Sequence, residues 1–78
     1  MNPEDFLRLV GDLLKVSNLT EDAAMGETSG WDSMRHLDMI FALEEKLGAS
    51  IPPDMMGELV SFKSLLAYFQ QHGAVAHG

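Results

Sequence analysis

The sequence predicts an all-α fold, a small four-helix bundle with three longer helices, a short third helix and a long loop between helices one and two. Three observations predict it: apolar residues recur at spacings of three and four, glycines and prolines separate these segments, and no segment alternates convincingly as a strand would. The chain has 78 residues, which suits one domain over residues 1–78. We expect an ordered core over about residues 3–72 and a flexible tail over 73–78.

The first helix is predicted from about Pro3 to Val16. Asn2 can cap it, and proline suits the first helical position. Its apolar stripe consists of Phe6, Leu9, Val10, Leu13 and Leu14. Residues 17–31 then lack sustained periodicity and predict a long loop, which in a compact domain is often functional. Three apolar residues are expected to anchor this loop on the core: Leu19, Ala23 and Met25.

The second helix is the clearest, from about Ser33 to Leu47, and Gly48 is suited to end it. On a helical wheel of about 100° per residue, one stripe is expected to face the core: Leu37, Ile40, Leu43 and Leu47. A second stripe beside it mixes apolar and acidic side chains: Met34, Asp38, Phe41 and Glu45. Two interpretations of this second stripe stay open. Met34 and Phe41 pack beneath the long loop, or the stripe is a docking edge whose charges steer a basic partner.

The last three segments follow from local signals. Residues 49–53 form a connector in which Ile51 is an expected core anchor and two prolines prevent regular pairing. Residues 54–59 can make one short helix. Ser61 is placed to cap a last helix that ends before Gly73. The apolar residues of that helix are Phe62, Leu65, Leu66 and Phe69.

Composition and charge restrict the function classes. Twelve acidic against five basic residues give a formal charge of −7, which repels nucleic acid and anionic lipid and favours partners with basic patches. The chain has no cysteine, which excludes disulfides and thiolate metal sites and fits a reducing cytoplasm. No signal peptide is expected at the N-terminus, and no apolar run approaches the ~20 residues of a membrane span.

Ser33 is the main candidate site. A serine after aspartate at a helix start is usually a cap. The residues three positions after Asp32 and Ser33 are Arg35 and His36, so neither pair forms a capping box. Asp32 can also cap alone, which leaves the Ser33 hydroxyl free at a helix N-terminus whose N–H groups suit a phosphate ester. Local chemistry leaves both the cap and the modified serine open.

The spacing of three segments resembles the family of acyl carrier and peptidyl carrier proteins. The family has Asp-Ser-Leu at the start of its second helix, Ala-Leu-Glu-Glu about nine residues later, and Ile-Pro after that helix. The corresponding segments appear here in that order: Asp32-Ser33-Met34, Ala42-Leu43-Glu44-Glu45 and Ile51-Pro52. The match continues through the short third helix to Phe62, Leu65 and Tyr68-Phe69.

The resemblance implies a fold, a cofactor and a set of partners. Ser33 would bear a 4′-phosphopantetheine arm that a phosphopantetheinyl transferase takes from coenzyme A, and Asp32 would assist recognition by that transferase. The arm would hold acyl or aminoacyl groups as thioesters, which a loading ligase or synthase attaches and acyltransferases remove. The chain would then be a monomeric, cytoplasmic, non-catalytic carrier. The alternative is a carrier-like helical adaptor that is never modified and acts only by docking.

Some residues depart from the fatty-acid carriers of this family. Those carriers have a more acidic second helix, whereas Arg35 and His36 follow the serine segment here. Trp31 before the aspartate, and Met34 where leucine is usual, resemble free-standing carriers, including aminoacyl and D-alanyl carriers. We therefore expect a specialised lipid or natural-product pathway.

Two other chemistries are weaker. Ser33 and His36 could approach each other on one helical turn, but no third group would orient the imidazole and nothing indicates an oxyanion hole. We therefore expect no catalytic residue, and a half-buried or surface position for His36 beside the arm. No metal site is expected either, since Asp32 and Asp38 lack the ligand spacing of a calcium loop.

Overall fold

The computed structural model describes residues 1–77 and contains four α-helices in this part of the chain. Their bounds are α1 Pro3–Leu14, α2 Ser33–Leu47, α3 Pro53–Met56 and α4 Phe62–Gln71. Over the same residues there is no strand, and only an isolated antiparallel bridge joins Ala24 to Ser61. The predicted all-α fold with a long loop between the first two helices is confirmed. None of these helices is long and apolar enough to cross a membrane.

The ends of α1 are set by local hydrogen bonds. The Asn2 side chain accepts a hydrogen bond from the Asp5 N–H at 2.8 Å, as predicted for the cap. The helix ends two residues before the predicted Val16, because Lys15 adopts a left-handed φ of 59°. That reversal lets the Val16 N–H donate to the Gly11 carbonyl at 2.9 Å, which closes the helix and starts the loop.

α4 begins where the sequence predicts, whereas α3 is shorter than predicted. α4 begins after Ser61, whose hydroxyl accepts from the Ser64 N–H at 3.1 Å while the Ser64 hydroxyl accepts from the Ser61 N–H at 3.2 Å. This reciprocal cap confirms the predicted role of Ser61. α3 is shorter than predicted, because the Met55 carbonyl accepts from both Glu58 and Leu59 and the helix gives way to turns there.

The core lies between α1, α2 and α4 and includes residues from the connections. Its centre is an aromatic cluster in which Phe6 lies 5.6 Å from both Phe62 and Phe69, measured between ring centroids. The predicted loop anchors pack on this core, Ala23 buried and Leu19 and Met25 half-buried. The predicted anchor of the 49–53 connector, Ile51, is buried.

The buried face of α2 differs from the predicted core stripe. Ile40 and Leu43 are fully buried as predicted, and Leu47 is half-buried. Leu37, which was predicted to face the core, is 45% exposed, so this prediction is wrong. Met39 is fully buried instead, so the side of α2 that carries Met39, Ile40 and Leu43 faces the core and the side of Leu37 does not.

The C-terminal segment differs from the flexible tail expected over residues 73–78. Gly73 has a φ of 76°, which reverses the chain after α4. Val75 is then 2% exposed within the core, and the Ala76 N–H donates to the Met1 carbonyl at 2.8 Å. The buried Val75 side chain therefore places this segment on the core, and the hydrogen bond of Ala76 links it to Met1. Residue 78 lies outside the described residues.

Candidate functional site

The start of α2 is capped by Asp32. Its side-chain Oδ1 accepts from the Arg35 N–H at 2.8 Å, and its carbonyl accepts from the His36 N–H at 2.9 Å. The Asp32 backbone is extended, with φ −106° and ψ 179°, as an N-cap residue requires. The capping role therefore belongs to Asp32, and Ser33 is the first residue of the helix proper.

Ser33 is exposed, and no hydrogen bond within residues 1–77 engages its hydroxyl. The first N–H groups of a helix have no intrahelical partner, and Asp32 takes only that of Arg35. The N–H groups of Ser33 and Met34 thus remain beside the hydroxyl at the positive end of the helix dipole. This arrangement combines a free hydroxyl with a site that favours negative charge.

The loop before the site is anchored by Trp31, which is 1% exposed. The Trp31 N–H donates to the Thr28 carbonyl at 3.0 Å, and its carbonyl accepts from the Gly26 N–H at 2.9 Å. Gly30 precedes it with a φ of 90°, and a Cβ at this position would lie 3.0 Å from a methyl group of Val16. Glycine is therefore required here, and the chain enters α2 in one fixed direction.

His36 is buried, at 4% exposure, so the expected half-buried or surface position is wrong. Its Nδ1 accepts from the Trp31 Nε1–H at 3.0 Å, and its Nε2 lies 3.4 Å from the Met56 carbonyl oxygen. Because an indole nitrogen can only donate, Nδ1 carries no proton and Nε2–H donates to Met56. Burial lowers the pKa of His36, and the hydrogen bond to Met56 opposes that shift.

The position of His36 also argues against the alternative in which Ser33 and His36 act as a catalytic pair. Its Nδ1 is hydrogen-bonded to Trp31 and its Nε2 to Met56, whereas the Ser33 hydroxyl is exposed to solvent. The structure therefore does not bring these two side chains together as a nucleophile and its base. The burial of His36 was missed from the sequence, although Trp31 five residues earlier offered an indole donor for the imidazole.

Arg35 joins the start of α2 to the end of α1. Its Nη1 donates to the Leu14 carbonyl at 2.8 Å. The last turn of α1 contains no basic residue of its own, so this guanidinium supplies the positive charge that a helix C-terminus favours.

The side of α2 that faces away from the core carries an unusual set of exposed apolar side chains. Met34 is 78% exposed, Phe41 is 56% exposed and Leu37 is 45% exposed. Asp38 and Glu45 lie on the same side and are also exposed. We call these five residues the outer α2 face. Met34 and Phe41 do not pack beneath the long loop, so that interpretation of the predicted second stripe is wrong.

Comparison with known proteins identifies the family. A family model described as "Phosphopantetheine attachment site" matches residues 4–69. The chain belongs to this phosphopantetheine-attachment family. The acyl carrier protein of Helicobacter pylori (strain G27) is 28% identical over 71 residues, which cover 88% of this chain and 91% of that protein. An acyl carrier protein of Zymomonas mobilis subsp. mobilis is 29% identical over 56 residues, which cover 72% of each chain.

This membership establishes the general role of the chain. It is a carrier protein that works with partner enzymes and is not itself an enzyme, and its prosthetic group is 4′-phosphopantetheine. Such a group needs an accessible hydroxyl for a phosphate ester. The start of α2 fits that need, because the Ser33 hydroxyl is exposed, free of hydrogen bonds within residues 1–77, and next to unpaired helix N–H groups.

Proposed function

We propose that Ser33 is the attachment residue of this carrier protein and that its arm tethers acyl or aminoacyl groups as thioesters for delivery to partner enzymes. The observation that supports this most is that Asp32 and Ser33 have different roles at the start of α2. Asp32 alone caps the helix, which leaves the Ser33 hydroxyl exposed and without a structural role. A serine that served as the cap would be held by its own hydrogen bond to the helix.

The electrostatics at Ser33 support a phosphate ester. The N–H groups of Ser33 and Met34 can donate to phosphate oxygens, and the helix dipole favours their negative charge. The chain as a whole carries a formal charge of −7, so a local site that favours negative charge contrasts with its overall charge. Loading would form a bond from the Ser33 Oγ to phosphorus as the phosphoanhydride bond of coenzyme A breaks. The nucleotide half, adenosine 3′,5′-bisphosphate, would leave, and the hydroxyl proton would pass to the transferase.

The thiol chemistry of the carrier would come from the cofactor. The chain contains no cysteine, so no side chain can form a thioester itself. The role of the protein is then to present the arm on a fixed helix end and to offer a surface that partner enzymes bind.

We assign partner docking to the outer α2 face. Met34, Phe41 and Leu37 supply apolar contacts next to the attachment serine, and Asp38 and Glu45 supply negative charges that attract basic partners. The proposed partners are a phosphopantetheinyl transferase, a loading ligase or synthase, and acyltransferases. Leu37 is an addition to the docking residues that the sequence predicted.

We also propose a specialised lipid or natural-product pathway in the cytoplasm, with the carrier as a monomer. Arg35 and His36 support this choice, because each makes a structural contact where fatty-acid carriers are more acidic. The absence of cysteine is compatible with a reducing compartment.

Intact-mass spectrometry tests the attachment proposal. The chain is incubated with coenzyme A and a phosphopantetheinyl transferase of broad specificity, beside Ser33→Ala and the matched control Ser29→Ala, which removes another exposed serine of the same region. We expect one phosphopantetheine group on the wild-type chain and on Ser29→Ala, and none on Ser33→Ala. An unchanged mass of the wild-type chain with several transferases would favour the unmodified helical adaptor instead.

A further inference from the structure

His36 connects three segments that surround the attachment site. It lies on α2, its Nδ1 accepts from Trp31 in the long loop at 3.0 Å, and its Nε2 lies 3.4 Å from the carbonyl oxygen of Met56, the last residue of α3. The Trp31 indole also stacks on the imidazole, with ring centroids 6.0 Å apart and an interplanar angle of 26°. We call these three residues the His36 cluster.

The His36 cluster reaches the attachment site through Trp31. This residue immediately precedes Asp32, whose side chain caps the helix that presents Ser33. Trp31 is held by hydrogen bonds at its N–H, its carbonyl and its Nε1, so it has little freedom to move while the bond to His36 exists. Loss of that bond would loosen the indole, which is the buried side chain that anchors the loop immediately before Asp32.

The bond between Trp31 and His36 depends on the protonation state of the imidazole. In the neutral ring Nδ1 is an acceptor, whereas a protonated ring carries N–H donors at both nitrogens. Protonation would therefore place two donors against each other at the Trp31–His36 contact and leave a positive charge in the core.

No carboxylate is in place to compensate such a charge. Every Asp, Glu, Lys and Arg side chain in the protein is exposed except Glu44, whose carboxylate accepts from the Ile51 N–H at 2.7 Å. None of the charged residues on the surrounding segments is hydrogen-bonded to His36: Lys15 after α1, Glu21, Asp22 and Glu27 in the long loop, Asp32, Arg35 and Asp38 at the start of α2, Asp54 on α3 and Glu58 beyond it.

We propose that the His36 cluster positions the attachment site and that protonation of His36 releases it, so that loading of Ser33 weakens in mild acid. The inference rests on the proposed attachment at Ser33, and His36 acts in it as a positioning residue through Trp31. Burial lowers the pKa of His36 from its ordinary 6.5. The imidazole therefore stays neutral and hydrogen-bonded to Trp31 near neutral pH, and this bond is lost only below pH 6.5.

Fluorescence of the intact protein tests the release directly, because Trp31 is the single tryptophan. Between about pH 8 and pH 5 we expect the emission to change as the imidazole becomes charged, while the far-UV circular dichroism of the helices stays the same. His36→Asn keeps an acceptor near the Nδ1 position and cannot titrate, so its emission is expected to be independent of pH over this range. Emission from the wild-type chain that does not vary with pH, or varies only together with loss of helix, would overturn the inference.

A competition experiment tests the link to loading. Equal amounts of the wild-type chain and His36→Asn share one reaction with coenzyme A and the transferase, and intact mass reports the loading of each. The ratio of the two loading rates cancels the pH dependence of the transferase. We expect the ratio of wild-type loading to His36→Asn loading to fall between pH 8 and pH 5, because the protonated fraction of His36 rises as the pH falls and His36→Asn cannot titrate. His36→Leu, which has no acceptor, should load slowly at every pH.

The two proposals fail in different ways. A constant ratio between two proteins that are both loaded would overturn the positioning role of His36 and leave the attachment proposal intact. No loading of either protein at any pH, with a control carrier loaded in the same reaction, would overturn the attachment at Ser33 and this inference together.

Discussion

The inner and outer faces of α2 differ in what solvent can reach. On the inner face His36, Met39 and Leu43 are buried, and both ring nitrogens of the one polar side chain have partners. On the outer α2 face Met34 and Phe41 are mostly exposed, and the Ser33 hydroxyl at the start of the helix has no partner within residues 1–77. One helix thus contributes one side to the stability of the fold and leaves the other side for contacts with other molecules.

Hydrophobicity alone does not distinguish these two faces. The larger apolar side chains of α2 cover an arc of roughly 220° at about 100° per residue, which is wider than one buried stripe. Exposed apolar groups on a small carrier cost solubility, so their position beside the proposed attachment serine favours a binding role. The comparison can be tested by changing each face separately.

The largest effect is expected from a cavity on the inner face. Leu43→Ala should lower the free energy of unfolding by about 2–5 kcal/mol, because it removes buried methyl groups that neighbours cannot replace. Leu37→Ala, the matched change on the outer face, should stay within about 0.5 kcal/mol of the wild type. Urea denaturation measures both.

A loss of about 2–5 kcal/mol in the free energy of unfolding can unfold a domain of this size completely. Ile40→Val is therefore the milder variant, with an expected loss of about 0.5–1.5 kcal/mol. Equal losses for Leu37→Ala and Leu43→Ala would contradict the division of α2 into a buried and an exposed side.

A smaller effect is expected from acid. Burial holds the folded pKa of His36 below its ordinary 6.5, so the unfolded chain takes up a proton before the folded chain does. The stability that the neutral imidazole provides is complete above pH 6.5 and is lost as the pH falls through the lowered folded pKa. Urea midpoints of the wild-type chain should therefore fall more steeply with acid than those of His36→Asn. Parallel pH profiles would contradict a buried neutral His36.

Two substitutions of Asp32 distinguish its role as a helix cap from its proposed role in recognition by the transferase. Asp32→Ala should lose about 1 kcal/mol of stability with the capping hydrogen bond, whereas Asp32→Asn keeps a capping oxygen and should lose little. If the carboxylate assists the transferase, both variants should load more slowly than the wild type. Wild-type loading of Asp32→Asn would limit Asp32 to its capping role.

The smallest effects are expected on the outer face. Phe41→Ala and Glu45→Lys should slow loading severalfold, by up to about 1 kcal/mol, without changing the far-UV circular dichroism. Glu58→Lys makes the same charge change at an exposed position beyond α3 and serves as the control. Loading that is slowed equally by Glu58→Lys would indicate a general charge effect rather than docking on α2.

The parts of the fold that local signals determine could be predicted from the sequence. Asp32 and Gly48 at the two ends of α2 are short-range capping signals, and the helix has the predicted bounds. The free hydroxyl of Ser33 also followed from local reasoning, since Asp32 was able to cap alone.

The rest depends on contacts that spacing does not reveal. The apolar arc of α2 allowed either Leu37 or Met39 to face the core, and tertiary packing buries Met39. A histidine is buried only with partners, and the Met56 carbonyl lies 20 positions further along the chain. The burial of Val75 likewise depends on a core whose other residues are mostly distant from it in the sequence.

The central claim is that Ser33 is the attachment residue. Mapping of the modified protein by tandem mass spectrometry tests this claim most directly. Of the other serines, Ser17, Ser29 and Ser50 are exposed as well and serve as internal controls, while Ser61 and Ser64 are bonded to each other. The account predicts fragment ions that place phosphopantetheine on Ser33 itself and on no other serine. Phosphopantetheine on any other serine, with Ser33 unmodified, would contradict it.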